Sequence, residues 1–161
     1  MPDLAWWLAN FQVSAFRLET RPVYSVPQEA AMLAAFKRDG SLPDMAEHPW
    51  VQRVREHCGG GKHMARVRVT SRPMTDYERF EVALYPHSHA VGEDIRICDG
   101  GDLGEQDFWL FDNQTVILLH YDAAGSFQGF DFETKRIGHY RQLRDLALAR
   151  SIPLQEFLAA H

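Results

Sequence analysis

Residues Ala65–Leu84, ARVRVTSRPMTDYERFEVAL, hold a strand, a proline turn and a capped helix start in one run. Met64–Thr70 alternates strictly, with Val67 and Val69 on one face and Arg66, Arg68 and Thr70 on the other, the period of a strand. Pro73 breaks it. Thr75-Asp76-Tyr77-Glu78 then has the form of a capping box, in which Thr75 caps a helix and Glu78 reaches back to it. Asp76 falls in the first turn, where the helix dipole favours negative charge. A strand feeding a capped helix through a short turn is the unit from which the rest of the fold is read.

Outward from it, Asp3–Phe11 suits a short helix, with Trp6 and Trp7 about 100° apart on its surface, packed inside the domain or at its rim. Phe16–Val26 reads as extended, because Pro22 and Pro27 restrict the residues before them. Ser25 fits an N-cap, with Pro27 in the first turn and Gln28 as its capping-box partner, for a helix that stops at Gly40. Ser41–His48 is a loop and a candidate for mobility. Pro49 opens a further helix, which the glycines at 59–61 end.

The next stretch is mostly strand. Glu93–Cys98 alternates. Phe108–Phe111 and Thr115–Tyr121 form two strands around an Asp112-Asn113-Gln114 turn, and Phe127–Phe132 follows as a third. Val116–Leu119 is apolar on both faces, as in a covered central strand. A long helix starts near Thr134, breaks at Ser151 and Pro153, and is followed by a last short helix. This order predicts a single α+β domain over 1–161, a mostly antiparallel sheet of about five strands covered by helices, with helices at both ends.

A chain of 161 residues that is 45% hydrophobic has apolar surface enough to order a core. A net charge of −5 argues against a stand-alone duplex binder, which carries a basic footprint. Cys58 and Cys98 form no CxxC, so zinc-finger spacing is absent and two free thiols are expected. The start lacks the pattern of a signal peptide, and no apolar run nears the ~20 residues of a membrane span. The expected compartment is the cytoplasm.

The candidate polar site comprises Arg66, Arg68, Ser71, Thr75, Asp76, Tyr77, Arg79 and Glu81, with Glu93, Asp94 and Arg96 of the Glu93–Cys98 strand. Arg66 and Arg68 emerge on one strand face about 6.6 Å apart along the chain, so an anionic group between them is favoured. That group is either an outside ligand, with Asp76 or Glu81 as acid–base candidate and Tyr77 as orienting donor, or a carboxylate of this chain. In the second case Arg66 or Arg68 pairs with Asp76, Glu81 or Asp94 and fixes the helix on the sheet. No Walker A loop, dinucleotide fingerprint or nucleophile elbow is present, and no cofactor is expected.

His87-Ser-His89 would share a face on a strand and suit a transition metal, but Pro86 and Gly92 make the stretch a loop, so no metal is expected. Gly100–Asp107 reads as a flexible acidic loop lacking the lysine of a phosphate cradle and the ligand pattern of a calcium loop. Arg141, Arg144 and Arg150 read as a solvated helix stripe.

FRLETRPVYSV, RVRVTSRPMTDYERFE, YPHSHAVGEDIRI and FWLFDNQTVILLHYDAAGSF, in this order, resemble an actinobacterial family of unknown function whose members are often encoded beside Xre-type helix-turn-helix regulators. The resemblance spans about Phe16 to Phe157. Arg66, Arg68, Ser71, Pro73, Thr75, Asp76, Tyr77, Phe80 and Glu81 match its most specific run. It carries over no catalytic residue. What it implies is gene neighbourhood: an accessory or partner of a DNA-binding regulator. With the acidic balance and the absence of an enzyme motif, that points to a regulatory module that binds a helix-turn-helix protein without touching DNA itself; a homodimer is a separate expectation. Two alternatives stand beside it: a small anion- or nucleotide-binding enzyme or sensor on the Arg66/Arg68 face, and a toxin-like ribonuclease, against which the acidic balance counts.

Overall fold

The structure, a computed structural model, describes residues 2–161. The elements follow in the order α1 (Leu4–Asn10), β1 (Ser14–Glu19), a 3-10 turn (Pro27–Glu29), α2 (Ala30–Asp39), α3 (Pro49–Gly59), β2 (His63–Thr70), α4 (Asp76–His89), β3 (Asp94–Asp99), β4 (Asp107–Phe111), β5 (Thr115–Tyr121), β6 (Phe127–Glu133), α5 (Ile137–Arg150), β7 (Ile152–Pro153) and α6 (Leu154–Ala160).

One seven-stranded mixed sheet runs in the order β6-β5-β4-β1-β2-β3-β7. The expectation of about five mostly antiparallel strands is corrected in number and in character: β1, β2 and β3 are parallel neighbours. The reason lies in the connections. Helices α2 and α3 intervene between β1 and β2, and α4 between β2 and β3, and a helical crossover returns the chain in the same direction. The β4-β5-β6 meander then pairs antiparallel with β1. Ser14–Glu19, which overlaps the expected extended stretch Phe16–Val26 only from Phe16 onward, thereby becomes the centre of the sheet. Strand β5 is an interior strand one place from the edge, not the central one.

Side chains divide cleanly between the two faces. Phe16, Leu18, Ala65, Val67, Phe108, Leu110 and Val116 pack with Tyr140 and Ala147 of α5. On the other face, Ala15, Met64, Trp109, Phe111 and Ile117 pack with Phe11 and with Val54 of α3. Ile95 and Ile97 meet Val82 and Tyr85 of α4 and Leu154 and Phe157 of α6. The α2–α4 contact is a fourth cluster around Tyr24, Tyr77 and Phe80.

Several local expectations hold. Thr75 Oγ1 accepts from Glu78 N at 3.0 Å and Glu78 Oε1 accepts from Thr75 N at 2.9 Å, a complete capping box. Glu78 Oε2 also accepts from Ser71 N at 2.8 Å, so the same side chain ties the proline turn to the helix. Thr75→Ala is expected to lower unfolding stability by about 1 kcal/mol, read as a shift of the urea midpoint at constant slope. The Asp112–Asn113 turn uses two left-handed residues, at φ 55° and 57°, and Asp112 accepts backbone N–H groups from Gln12, Val13 and Ser14.

Others are corrected. Ser25 is not an N-cap: it donates its N–H to Gly125 O, and the chain enters α2 through Pro27–Glu29 without a side-chain cap. Gly125 is required there, since at φ 86° a Cβ would lie 2.4 Å from Val23 O. The last long helix starts at Ile137, not at Thr134. His87 and His89 lie in α4, not in a loop, because Val82, Tyr85 and Ser88 are buried and hold the last turns despite Pro86. Two apart on a helix, the histidines face different directions. Leu103, 1% exposed, pins the acidic loop to the core. Met45 is likewise buried within the Ser41–His48 loop. Trp7 stacks on Phe111 while Trp6 is 44% exposed. Arg141 and Arg144 donate to Asn113 O and Oδ1, tying α5 to the β4–β5 turn rather than forming a free stripe. No helix among the described residues is long and apolar enough to cross a membrane, and both cysteines are free thiols.

Candidate functional site

The parallel register sets Arg17 beside Arg66 and Glu19 beside Arg68, and β4 brings Asp107 to the same end of β1. All five point to the face covered by α4. The polar face of β2 is therefore buried: Arg68 is 0% exposed. Charged side chains survive there only because they pair with one another.

Arg66 bridges two acids, with Nη1 2.7 Å from Glu19 Oε1 and Nε 3.1 Å from Glu93 Oε2. Trp50 Nε1 donates to the other Glu93 oxygen at 3.1 Å, and the Arg66 guanidinium lies over the Trp50 and Tyr85 rings. Arg17 Nη2 donates to Asp107 Oδ2 and to Tyr121 OH, each at 3.1 Å. Asp107 further accepts from Thr20 N, Thr20 Oγ1 and Tyr24 OH. Arg68 Nη2 lies 3.1 Å from Glu81 Oε1, but out of line for a hydrogen bond. Both atoms are left without a hydrogen-bond partner, as are Arg68 Nε and Thr70 Oγ1. On the α2 side, Tyr77 OH donates to Glu29 Oε1 at 2.6 Å.

Tyr85 OH sits between two carboxylates, 3.1 Å from Glu19 Oε1 and 3.2 Å from Glu81 Oε2. A phenol has one proton to donate. Both contacts are hydrogen bonds when Tyr85 donates to Glu19 and a protonated Glu81 donates to Tyr85. The electrostatics agree. Burial, then the charge of Glu19, push Glu81 up to about 8 against the pull of Arg68 and Arg66. Burial acts upward on Glu19 as well, but Arg66, Arg17 and Arg68 outweigh it and hold that carboxyl down at about 2. Two nearby carboxyls are thus driven apart, one ionised and one neutral, an arrangement suited to acid–base work or to binding a charge. Burial also raises Glu29.

The two acids have opposite linkage. Glu81, raised in the fold, adds stability below the ordinary 4.5 that is lost as pH rises through about 8. Glu19, lowered in the fold, adds stability above 4.5 that is lost as pH falls through about 2. Wild-type stability is expected to fall between about pH 5 and pH 8, and Glu81→Gln, neutral at every pH, is expected to flatten that fall. Urea unfolding across this range checks it; an unchanged slope in the variant would show that Glu81 titrates normally.

Two cavities, of about 160 and 250 Å³, open on this cluster, and Glu29, Arg66 and Glu81 stand in the walls of both. Among the described residues no three His, Cys, Asp or Glu side chains converge as a metal shell.

Of the candidate residues named from sequence, the fold brings together Arg66, Arg68, Tyr77, Glu81 and Glu93. It leaves the others outside. Ser71 and Thr75 serve the α4 cap; Asp76 and Arg79 pair with each other on the surface; Asp94 is half-buried on β3. Arg96 points to the opposite face, where it donates to Ser151. The internal pairing for Arg68 is therefore with Glu81, not with Asp76 or Asp94. Sequence reading missed Arg17, Glu19, Tyr24, Glu29, Tyr85 and Asp107. The one available signal was Arg17 and Glu19 at strand spacing in an otherwise apolar run.

The family described as "Domain of unknown function (DUF6879)" matches residues 2–159, and the chain belongs to it. No curated protein sequence matches the chain. Among solved structures, it is similar to the phospholipase D family member Nuc from Salmonella typhimurium, at 12% identity and a TM-score of 0.51, covering 91% of this chain and 84% of that one. At that identity the likeness concerns the fold.

Proposed function

We propose that this member of the DUF6879 family is a small-molecule-binding regulatory domain, with the buried Arg–Glu–Tyr cleft as its ligand site. One observation carries the reading. Glu81 stands in the walls of two cavities with its buried Oε1 lacking a hydrogen-bond partner, a costly state that a ligand would relieve. On this reading the domain acts in the cytoplasm of an actinobacterium. Ligand occupancy alters its grip on a protein partner, and a helix-turn-helix transcriptional regulator is the partner the sequence resemblance implies. The exposed apolar side chains Val26 and Phe127 line the cleft, where a partner would sense its state.

Arg66 is already shared by two carboxylates, and Arg68, 0% exposed, stands in neither cavity wall, which weakens the alternative of a nucleotide or other anion bound between Arg66 and Arg68. The same placement weakens equally a ribonuclease that would use those cations on RNA. The test is a thermal-shift screen of the full chain against a library of charged and neutral metabolites, followed by capture of a regulator with and without the hit. A compound that raises the melting temperature of wild type and not of Glu81→Gln supports the site; silence across the library overturns it.

A further inference from the structure

We infer that the cleft binds a small organic cation, a short-chain primary amine or a guanidinium compound, held between the carboxylates of Glu29 and Glu81. This assignment rests on the ligand-binding reading above and gives it a chemical class.

Charge accounting carries it. The cluster holds three guanidiniums, Arg17, Arg66 and Arg68, and five carboxylates, Glu19, Glu29, Glu81, Glu93 and Asp107. Arg17 is committed to Asp107, and Arg66 to Glu19 and Glu93 together. The two acids left short are Glu29, whose hydrogen-bond partner is the Tyr77 hydroxyl, and Glu81, which touches Arg68 without a hydrogen bond. These two are the acids that stand in the walls of both cavities. Glu81 is 7% exposed, so its orphaned oxygen has no easy recourse to water. An ammonium or guanidinium donates to a carboxylate through strong charge-assisted hydrogen bonds, and the rings of Trp50, Tyr24 and Tyr77 in the walls favour a cation over an anion. Arg68 stands in neither cavity wall, so an anion would meet Arg66 or Arg17 and would have to displace a buried carboxylate from it. A metal ion would need a shell of acids that the described residues do not form. The volumes lie at or below the ~300–1,000 Å³ of drug-sized pockets, which keeps the ligand small.

Binding has a proton balance. In the empty cleft Glu81 holds a proton; when the cation docks, that proton leaves to solvent and the carboxylate pairs with the ligand. The groups facing Glu81 are Arg66 and Arg68 of β2, Glu19 of β1, Tyr85 of its own helix, Glu29 of the 3-10 turn, and His48 across the cavity. The affinity is therefore expected to rise as pH rises toward about 8.

The experiment is calorimetric titration of the full chain with n-butylammonium, 1,4-diaminobutane and methylguanidinium at matched ionic strength. Inorganic phosphate and acetate form the anion arm and n-butanol the neutral arm. Glu81→Gln and Glu29→Gln, both checked for folding by near-ultraviolet circular dichroism, are the variants. The expected result is saturable binding of at least one cation, with proton release, weakened about tenfold or more in either variant. Binding of phosphate, acetate or butanol instead overturns the cation assignment and leaves the ligand-binding reading standing. Cation binding that is indifferent to both variants also overturns it. Silence in all three arms overturns it too, and silence of the wider metabolite screen as well removes the reading beneath it.

Discussion

Arg66→Ala is expected to cost the domain about 3–5 kcal/mol at neutral pH, the penalty of removing one partner from a buried charge network. The residue is the shared cation of two buried acids, with Glu19 and Glu93 side chains 6% and 2% exposed. Alanine leaves both carboxylates without their guanidinium, empties the space over the Trp50 and Tyr85 rings, and creates a cavity. The loss is a large fraction of the ~5–15 kcal/mol that a domain has in total. Its pH dependence separates the charge from the packing. In the variant Glu19 loses the largest of the three charges that hold it down, so the variant loses less stability than wild type as pH falls. Wild type meanwhile loses the contribution of Glu19 as pH falls below 4.5. The gap between the two urea midpoints should narrow from pH 7 to pH 4. Arg66→Met, which keeps most of the volume, should show the same narrowing; a constant gap would mean that packing alone is at stake.

Asp107→Ala is expected to cost about 3–5 kcal/mol. The carboxylate collects Arg17 Nη2, Thr20 N, Thr20 Oγ1 and Tyr24 OH in one place. Its loss strands a guanidinium whose side chain is 7% exposed. It also releases the chain after β1, because Thr20 and Tyr24 anchor the stretch that carries Glu29 to the cleft. Asp107→Asn keeps an acceptor for Thr20 but presents an amide toward Arg17, so about half of the loss is expected to remain. Hydrogen exchange across residues 20–29 gives the second readout: protection should drop in Asp107→Ala while α5, on the opposite face of the sheet, stays protected. Loss spread evenly over the chain would show that Asp107 stabilises the whole core and not this segment.

Local structure was legible where a local force was not overridden from a distance, as Gly125 overrides the cap expected at Ser25. Thr75 and Glu78 announce the start of α4 because a cap is satisfied within four residues, and Asp112-Asn113 announces a turn because few residue types accept positive φ. The alternation of Met64–Thr70 gave the strand and both of its faces. The loop expected at His87–His89 was wrong because Pro86 was weighed as a breaker, while the buried partners of Tyr85 and Ser88, which keep the helix intact, are supplied by β1 and by the turn before β3.

By itself the sequence determined the strand β2 with its arginine-bearing face, the capped start of α4 and the β4–β5 turn. Only the tertiary structure decided what that face is. Placing β1 parallel beside β2 and β4 antiparallel beside β1 brings Glu19 and Asp107 to guanidiniums on β2 and β1, and α4 closes over them. A strand's own pattern records which side chains share a face, but a charge is neutralised by whatever lies within a few ångströms in space. Here those partners lie 47 and 90 residues away along the chain, beyond the reach of any local period.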